Sequence, residues 1–163
     1  METLLDRSLN GVIDAVRPRC LLLAECHRRQ IPVLTCGAAG GRSDATLIEI
    51  ADLSRIFNDA LLHQVRRNLR GNYGFPSGED SRKKFGIAAV FSPEETRYPQ
   101  GDGCVSTERP THQPAGLRCD AGFGAVTHVT ATFGLLAAGD IINRIAGSGN
   151  KEGGPGPPSG SRI

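Results

Sequence analysis

Neither a CxxC pair nor a Cys/His spacing of the zinc-site kind occurs among the five cysteines, at 20, 26, 36, 104 and 119. Nothing in that pattern marks a structural metal. Their odd number argues against a closed disulfide framework and points to a reducing compartment, the cytoplasm. The first ten residues carry Asp6 and Arg7 and no apolar core of signal-peptide length, so no secretory signal is read there. The longest apolar stretch, near Val126 to Ala138, is interrupted by Thr130, Thr132 and Gly134. It falls short of the roughly 20 residues that cross a bilayer, and it reads as a buried helix rather than an integral membrane span. Charge of one sign is scarce as well: a formal net charge of +2 does not announce nucleic-acid binding. There are no internal repeats.

What is present suits one soluble globular core: 163 residues, 39% hydrophobic and 22% charged. Of the 19 basic residues 16 are arginine, the side chain best shaped for bidentate phosphate contacts. From Val16 to Gln30 apolar Val16, Cys20, Leu21, Leu23, Ala24 and Cys26 alternate with charged residues, as in a helix with one buried face. Asp14 stands where an N-cap would, and Pro18 fits only a first turn. Residues 31–36 then read as a buried strand feeding the glycine loop Gly37-Ala38-Ala39-Gly40-Gly41.

A second strand is expected over Leu47 to Asp52, and a helix over Asp59 to Arg70 with Leu61, Leu62, Val65 and Leu69 on one face. Residues 71–84 read as a mobile loop. Gly86 to Ser92 reads as a third strand, and residues 92–114, with four prolines, as an irregular crossover. The last helix runs from Gly122 to about Ile145. Helices alternating with apolar strands imply an α/β sheet whose first strands are parallel. Residues 147–163, mostly Gly, Pro and Ser, form a disordered tail to a domain over 1–146.

Five blocks, in order, carry a family resemblance. They are Ile13-Asp14-Ala15-Val16-Arg17-Pro18-Arg19; Ile31-Pro32-Val33 with the loop Gly37 to Gly41; Asp52-Leu53-Ser54 with Asn58-Asp59-Ala60-Leu61; Val90-Phe91-Ser92-Pro93-Glu94 with Tyr98-Pro99-Gln100-Gly101-Asp102-Gly103; and Cys119-Asp120-Ala121-Gly122-Phe123-Gly124 with Val129-Thr130-Ala131-Thr132-Phe133-Gly134. Together they resemble the C-terminal portion of the threonylcarbamoyladenosine dehydratases, a branch of the superfamily that includes ThiF and MoeB. The resemblance implies an incomplete Rossmann-like, ThiF-type sheet flanked by helices. It implies an ATP- and Mg2+-dependent enzyme that adenylates the carboxylate of threonylcarbamoyladenosine beside the tRNA anticodon and closes it to a cyclic form. Its implied partners are tRNA, a second copy of the chain as a homodimer, and a sulfur-transfer protein.

The sequence departs from that family at its front. Members carry upstream a strand, a GxGxxG loop and an arginine and lysine that hold the triphosphate, because backbone N–H groups and a helix N-terminus neutralise phosphate charge. No GxGxxG occurs in these 163 residues. The first of the family's two aspartates falls on Gly11 in an ungapped alignment, and a gapped alignment places Asp14 there. The chain therefore reads as truncated before the nucleotide loop, with the missing strands leaving apolar surface open. The alternative is a non-catalytic remnant or interaction module that keeps a dimer or tRNA surface.

Each candidate residue has two readings. Asp14 matches the aspartate that helps hold magnesium on ATP, where the ion prefers a hard oxygen ligand; a plain helix cap is the other role. Gly37, Gly40 and Gly41 lie at the carboxyl end of a parallel strand, where open α/β sheets bind ligands; an ordinary turn explains them too. Cys119, beside Arg118 and before a helix N-terminus, is a nucleophile or persulfide acceptor, or a buried thiol. Arg66, Arg67 and Arg70 with Arg82, Lys83 and Lys84 form a phosphate-facing surface for tRNA, or a solvated face. His128 reads as a satisfied core residue.

Overall fold

The computed structural model describes residues 15–100, 102–108 and 124–149. Asp14 and Cys119 lie outside them. Three helices, α1 (Val16–Arg28), α2 (Ala60–Asn72) and α3 (Thr127–Gly149), accompany strands β1 (Leu34–Cys36), β2 (Glu49–Asp52) and β3 (Ala88–Phe91) and a small hairpin of β4 (Tyr98–Pro99) and β5 (Val105–Ser106).

β3 is the centre of a sheet ordered β1-β3-β2. β1 pairs with it in parallel, Leu34 opposite Ala88 and Cys36 opposite Val90. β2 is antiparallel, Glu49 opposite Phe91 and Asp52 opposite Ala88. The expected parallel pairing is thus that of β1 and β3. Residues 37–48, between β1 and β2, hold only a 3-10 turn at Ala45–Leu47, and the chain comes back in the opposite direction without a helical crossover.

The side chains of β3 alternate between two faces, as a strand's must. Ala89 and Phe91 join Cys20 and Leu23 of α1, Leu62, Val65 and Leu69 of α2, and Phe75, Phe85 and Ile87 in one buried cluster. Val90 points the other way, with Ile48 and with Val129 and Phe133 of α3. The architecture is three layers: α1 and α2, the sheet, then α3. In α2 the buried positions Leu61, Leu62, Val65 and Leu69 make one stripe.

Three expectations need correction, and one cannot be followed. The N-cap of α1 is Ala15, with no side-chain cap; the reading of Asp14 as a cap lies outside the described residues. Residues 71–84 are no bare loop: Phe75 is buried, its ring centroid 4.9 Å from that of Phe85, and a 3-10 turn covers Gly78–Arg82. α3 begins at Thr127 and reaches Gly149, into the segment read as tail. It is also largely exposed: Val129 and Phe133 are buried, but Leu135 is 73% and Ile145 70% exposed. By length and composition the 20 residues Thr127–Ala146 are apolar enough to cross a bilayer. Their Asp140–Arg144 ion pair and the packing of Val129 and Phe133 on the sheet suit a domain helix with one face uncovered.

Asp52 ties the end of β2 to its surroundings. Its Oδ1 accepts from Ser54 N (2.9 Å) and Phe85 N (3.0 Å) and its Oδ2 from Gly86 N (2.8 Å). Burial works against the charge, yet the hydrogen bonds from Ser54, Phe85 and Gly86 outweigh it and hold the carboxyl below its ordinary value of 3.8. A group lowered in the folded state stabilises it above the unfolded pKa and loses that contribution as pH falls through the folded one. Asp52→Asn is expected to cost about 1–2 kcal/mol at pH 7, roughly 3–6 °C in Tm for a chain of this size, and to flatten the fall in Tm below pH 4. Melting curves from pH 7 to 3 that run parallel for the two proteins would contradict this.

Candidate functional site

The sheet's parallel pair delivers the chain into the loop Gly37–Asp44. Gly37 N–H still bonds Val90 O (2.8 Å), so the loop leaves the carboxyl end of β1 already aligned. There it meets Asp59, which is 4% exposed. One oxygen of Asp59 accepts from Leu62 N (2.8 Å), capping α2, and the other accepts from Ala38 N (2.8 Å). The carboxylate lies so close that a Cβ on Gly37 would stand 2.1 Å from Oδ2. Glycine is therefore required by the approach of Asp59.

Further along, Gly41 takes φ +70°, and a Cβ there would meet Arg97 O at 2.6 Å. Its own carbonyl accepts from Arg97 N (3.0 Å) and its N–H bonds Gly124 O (3.2 Å). Arg42, 2% exposed, donates through Nη2 to Asn58 O, while its Nε and Nη1 are buried without a partner among the described residues. Burial pulls this guanidinium below its ordinary pKa, partly offset by Asp59 and Glu94. Glu94 closes the far end, its carboxylate accepting from Ser43 N (3.3 Å), Asp44 N (3.2 Å) and Ser92 Oγ (3.0 Å). Burial disfavours that charge, but the hydrogen bonds from Ser43, Ser92 and Asp44 prevail and keep the carboxyl below its usual range. His128 is exposed, not a core residue; its Nε2 sits 2.9 Å from Ser43 O.

The loop is thus clasped by α2, by the segment between β3 and β4, and by α3. Beside it opens a cleft of about 530 Å³ whose walls include Asn58, Asp59, His63 and Arg66 on one side and Thr96 and Tyr98 on the other. The arrangement offers a rigid backbone surface next to a polar cleft, the kind of preorganised wall on which a substrate can be oriented. It does not by itself cradle phosphates. The faces that Gly37 and Gly41 leave open are filled by protein, and no group of three His, Cys, Asp or Glu side chains that could hold a metal occurs among the described residues.

The tRNA threonylcarbamoyladenosine dehydratase of Escherichia coli (strain K12) is 39% identical over 142 residues, 86% of this chain and 52% of that protein. The protein of that name from Haemophilus influenzae is 41% identical over 145 residues, again 86% and 52%. The chain is a homologue of the tRNA threonylcarbamoyladenosine dehydratases. It spans about half the length of the curated relatives it matches. Among solved structures, that called "TcdA (CsdL)" matches with a TM-score of 0.71 at 35% identity, over 86% of this chain and 50% of that one. The structure of E. coli tRNA N6-threonylcarbamoyladenosine dehydratase, TcdA, in complex with ATP matches with a TM-score of 0.67 at 33% identity, over 87% and 49%. No family model matches the chain.

In this dehydratase homologue Gly37, Gly40 and Gly41 come together in one loop, while Asp14 and Cys119 lie outside the described residues. The arginine cluster does not act as one face. Arg66 donates through Nη1 to Ser54 O (3.3 Å) and to Ile56 O, and Arg70 donates to Pro76 O (3.0 Å) and lies over the Phe85 ring. Arg67, Arg82, Lys83 and Lys84 are the exposed remainder, Lys83 paired with Asp80 at 2.9 Å. Asp59, Arg42 and Glu94 were not among the sequence candidates. Asp59 had a visible signal, an acidic residue at a helix start; its reach back to Ala38, 21 residues away, had none.

Proposed function

We propose that the chain works in the ATP-dependent dehydration of threonylcarbamoyladenosine in tRNA, closing the modified nucleoside to its cyclic form. The match to dehydratases over 86% of the chain carries this reading, and the clasped loop at the carboxyl end of β1 supports it. A carboxylate is a poor electrophile until its oxygen joins a good leaving group, which ATP supplies. In this reading the loop Gly37, Gly40 and Gly41 lines the nucleotide or acyl group, Asp14 holds Mg2+, and Cys119 acts as nucleophile or persulfide acceptor for a sulfur-transfer protein. Arg67, Arg82, Lys83 and Lys84 take tRNA phosphates.

Since the sequence holds no GxGxxG, the phosphate-binding loop comes from a second polypeptide or from an N-terminal part outside this sequence. The uncovered face of α3, with Leu135, Ile142 and Ile145 exposed, is the surface on which two copies associate. The test is AMP release from Mg-ATP with modified tRNA, assayed for the chain alone and with the N-terminal half of the E. coli relative, and sedimentation of the same samples. Release in the mixture from a dimeric chain is expected. No release in either sample ends the enzymatic reading, and a monomeric chain ends the dimer.

A further inference from the structure

Among the described residues, the buried side-chain nitrogens and oxygens without a partner all belong to two arginines: Nε and Nη1 of Arg42 and Nε of Arg66. Both arginines border the turn at Asn58 and Asp59. Arg42 donates to Asn58 O, and Arg66 lines the 530 Å³ cleft together with Asn58 and Asp59. Nη1 of Arg66 is already spent on the carbonyls of Ser54 and Ile56. Buried donors without acceptors are rare in native folds, and a carboxylate is the acceptor that suits a guanidinium edge.

Negative charge is nevertheless present. Burial pulls the Arg66 guanidinium below its ordinary pKa, and Asp59 is close enough to act the other way. Glu95 lines the wall of Thr96 and Tyr98 and is exposed. These two carboxylates disfavour a purely anionic ligand, and Arg66 disfavours a purely cationic one, because like charges brought together are costly. A ligand with one charge of each sign satisfies both. Each oxygen of Asp59 accepts one N–H, from Leu62 or from Ala38, and so keeps a lone pair for an ammonium. Asn58, at φ +53°, is pinned by its Nδ2 bond to Pro93 O (2.8 Å) and by Arg42 on its carbonyl, which makes that wall rigid. The cleft volume is that of a small-ligand site, and the hydroxyl of Thr96, the phenol of Tyr98 and the imidazole of His63 surround the space left for a polar side chain.

We propose that this cleft binds a free α-amino acid with a polar side chain, its carboxylate on Arg66 and its ammonium against Asp59 and Glu95. The site is distinct from the proposed reaction: the threonine nitrogen of a threonylcarbamoyl group is acylated and uncharged, so that substrate lacks the ammonium. The full chain is screened by thermal shift against the standard amino acids, and the best binder is titrated by calorimetry beside its N-acetyl and methyl ester forms and N-carbamoylthreonine. At least one amino acid is expected to raise Tm by about 3 °C at roughly 10 mM. Its N-acetyl and methyl ester forms are each expected to bind about tenfold more weakly, for loss of one charge. Glu95→Gln, an exposed position, is expected to weaken the amino acid about fivefold, with the N-acetyl form and the Tm of the unliganded chain unchanged. If no amino acid shifts Tm, or if binding ignores both acylation of the nitrogen and Glu95→Gln, the proposal fails while the AMP-release test stands on its own. Tighter binding of N-carbamoylthreonine than of any free amino acid also overturns it and gives the cleft to the substrate of the proposed reaction.

Discussion

Asp59→Ala is expected to destabilise the chain by about 2–4 kcal/mol, although it removes no apolar contact of the core. Losing the cap of α2 costs about 1 kcal/mol. The Ala38 N–H, whose acceptor is Asp59 Oδ2, is then left without a partner in a half-buried loop, for another 1–3 kcal/mol or so. Arg42 loses an opposing charge: among the groups that offset its burial Asp59 is the strongest. Asp59→Asn separates these effects. Asparagine caps helices about as well as aspartate, but its amide has one oxygen for two N–H donors, so α2 stays capped and the loop is released. A cost near 1 kcal/mol is expected for it, with faster amide exchange at Ala38 and unchanged exchange at Leu62. Urea unfolding measures both. If Asp59→Ala changed stability by under about 0.5 kcal/mol, the tether would not be holding the loop.

How much of this was legible beforehand follows from how far each interaction reaches along the chain. α2 was visible because Leu61, Leu62, Val65 and Leu69 repeat at helical spacing, and its burial followed. The strands were visible as apolar runs, but the antiparallel setting of β2 depends on residues 37–48 lacking a helix, which composition does not show. α3 was misjudged for a clear reason. Apolar content signals a face that needs covering, not that the same chain covers it, and here Leu135, Ile142 and Ile145 stay exposed. Gly37 and Gly41 were found as a glycine loop; the cause of each glycine was not. One answers to a carboxylate 22 positions later and the other to the backbone of Arg97, and no local pattern carries either. The roles of Asp52, Asp59 and Glu94 are of the same sort: polar residues whose partners converge only in the fold.

Gly37→Ala gives the sharpest test of that cause, with an expected cost of about 2–4 kcal/mol. No positive φ is recorded at Gly37, so alanine brings no backbone penalty of the left-handed kind, and in open space it would be neutral or mildly favourable. The whole cost comes from the added methyl, which would stand 2.1 Å from Asp59 Oδ2 and 3.1 Å from Leu62 Cδ1. Asp59 cannot swing aside freely, because its oxygens are held by Leu62 N and Ala38 N; crowding of this kind costs about 1–3 kcal/mol, with the broken tether added. Removing the obstacle should remove most of the penalty. In the Asp59→Ala background Gly37→Ala is therefore expected to cost under about 1 kcal/mol, giving a coupling of roughly 2 kcal/mol between two neighbours in a double-mutant cycle. Gly41→Ala is the contrast. Its φ of +70° and the Arg97 carbonyl at 2.6 Å are both backbone features, so no side-chain deletion relieves them and its cost should be the same with or without Asp59. Additive costs for Gly37→Ala and Asp59→Ala would mean that something other than the carboxylate requires glycine at position 37.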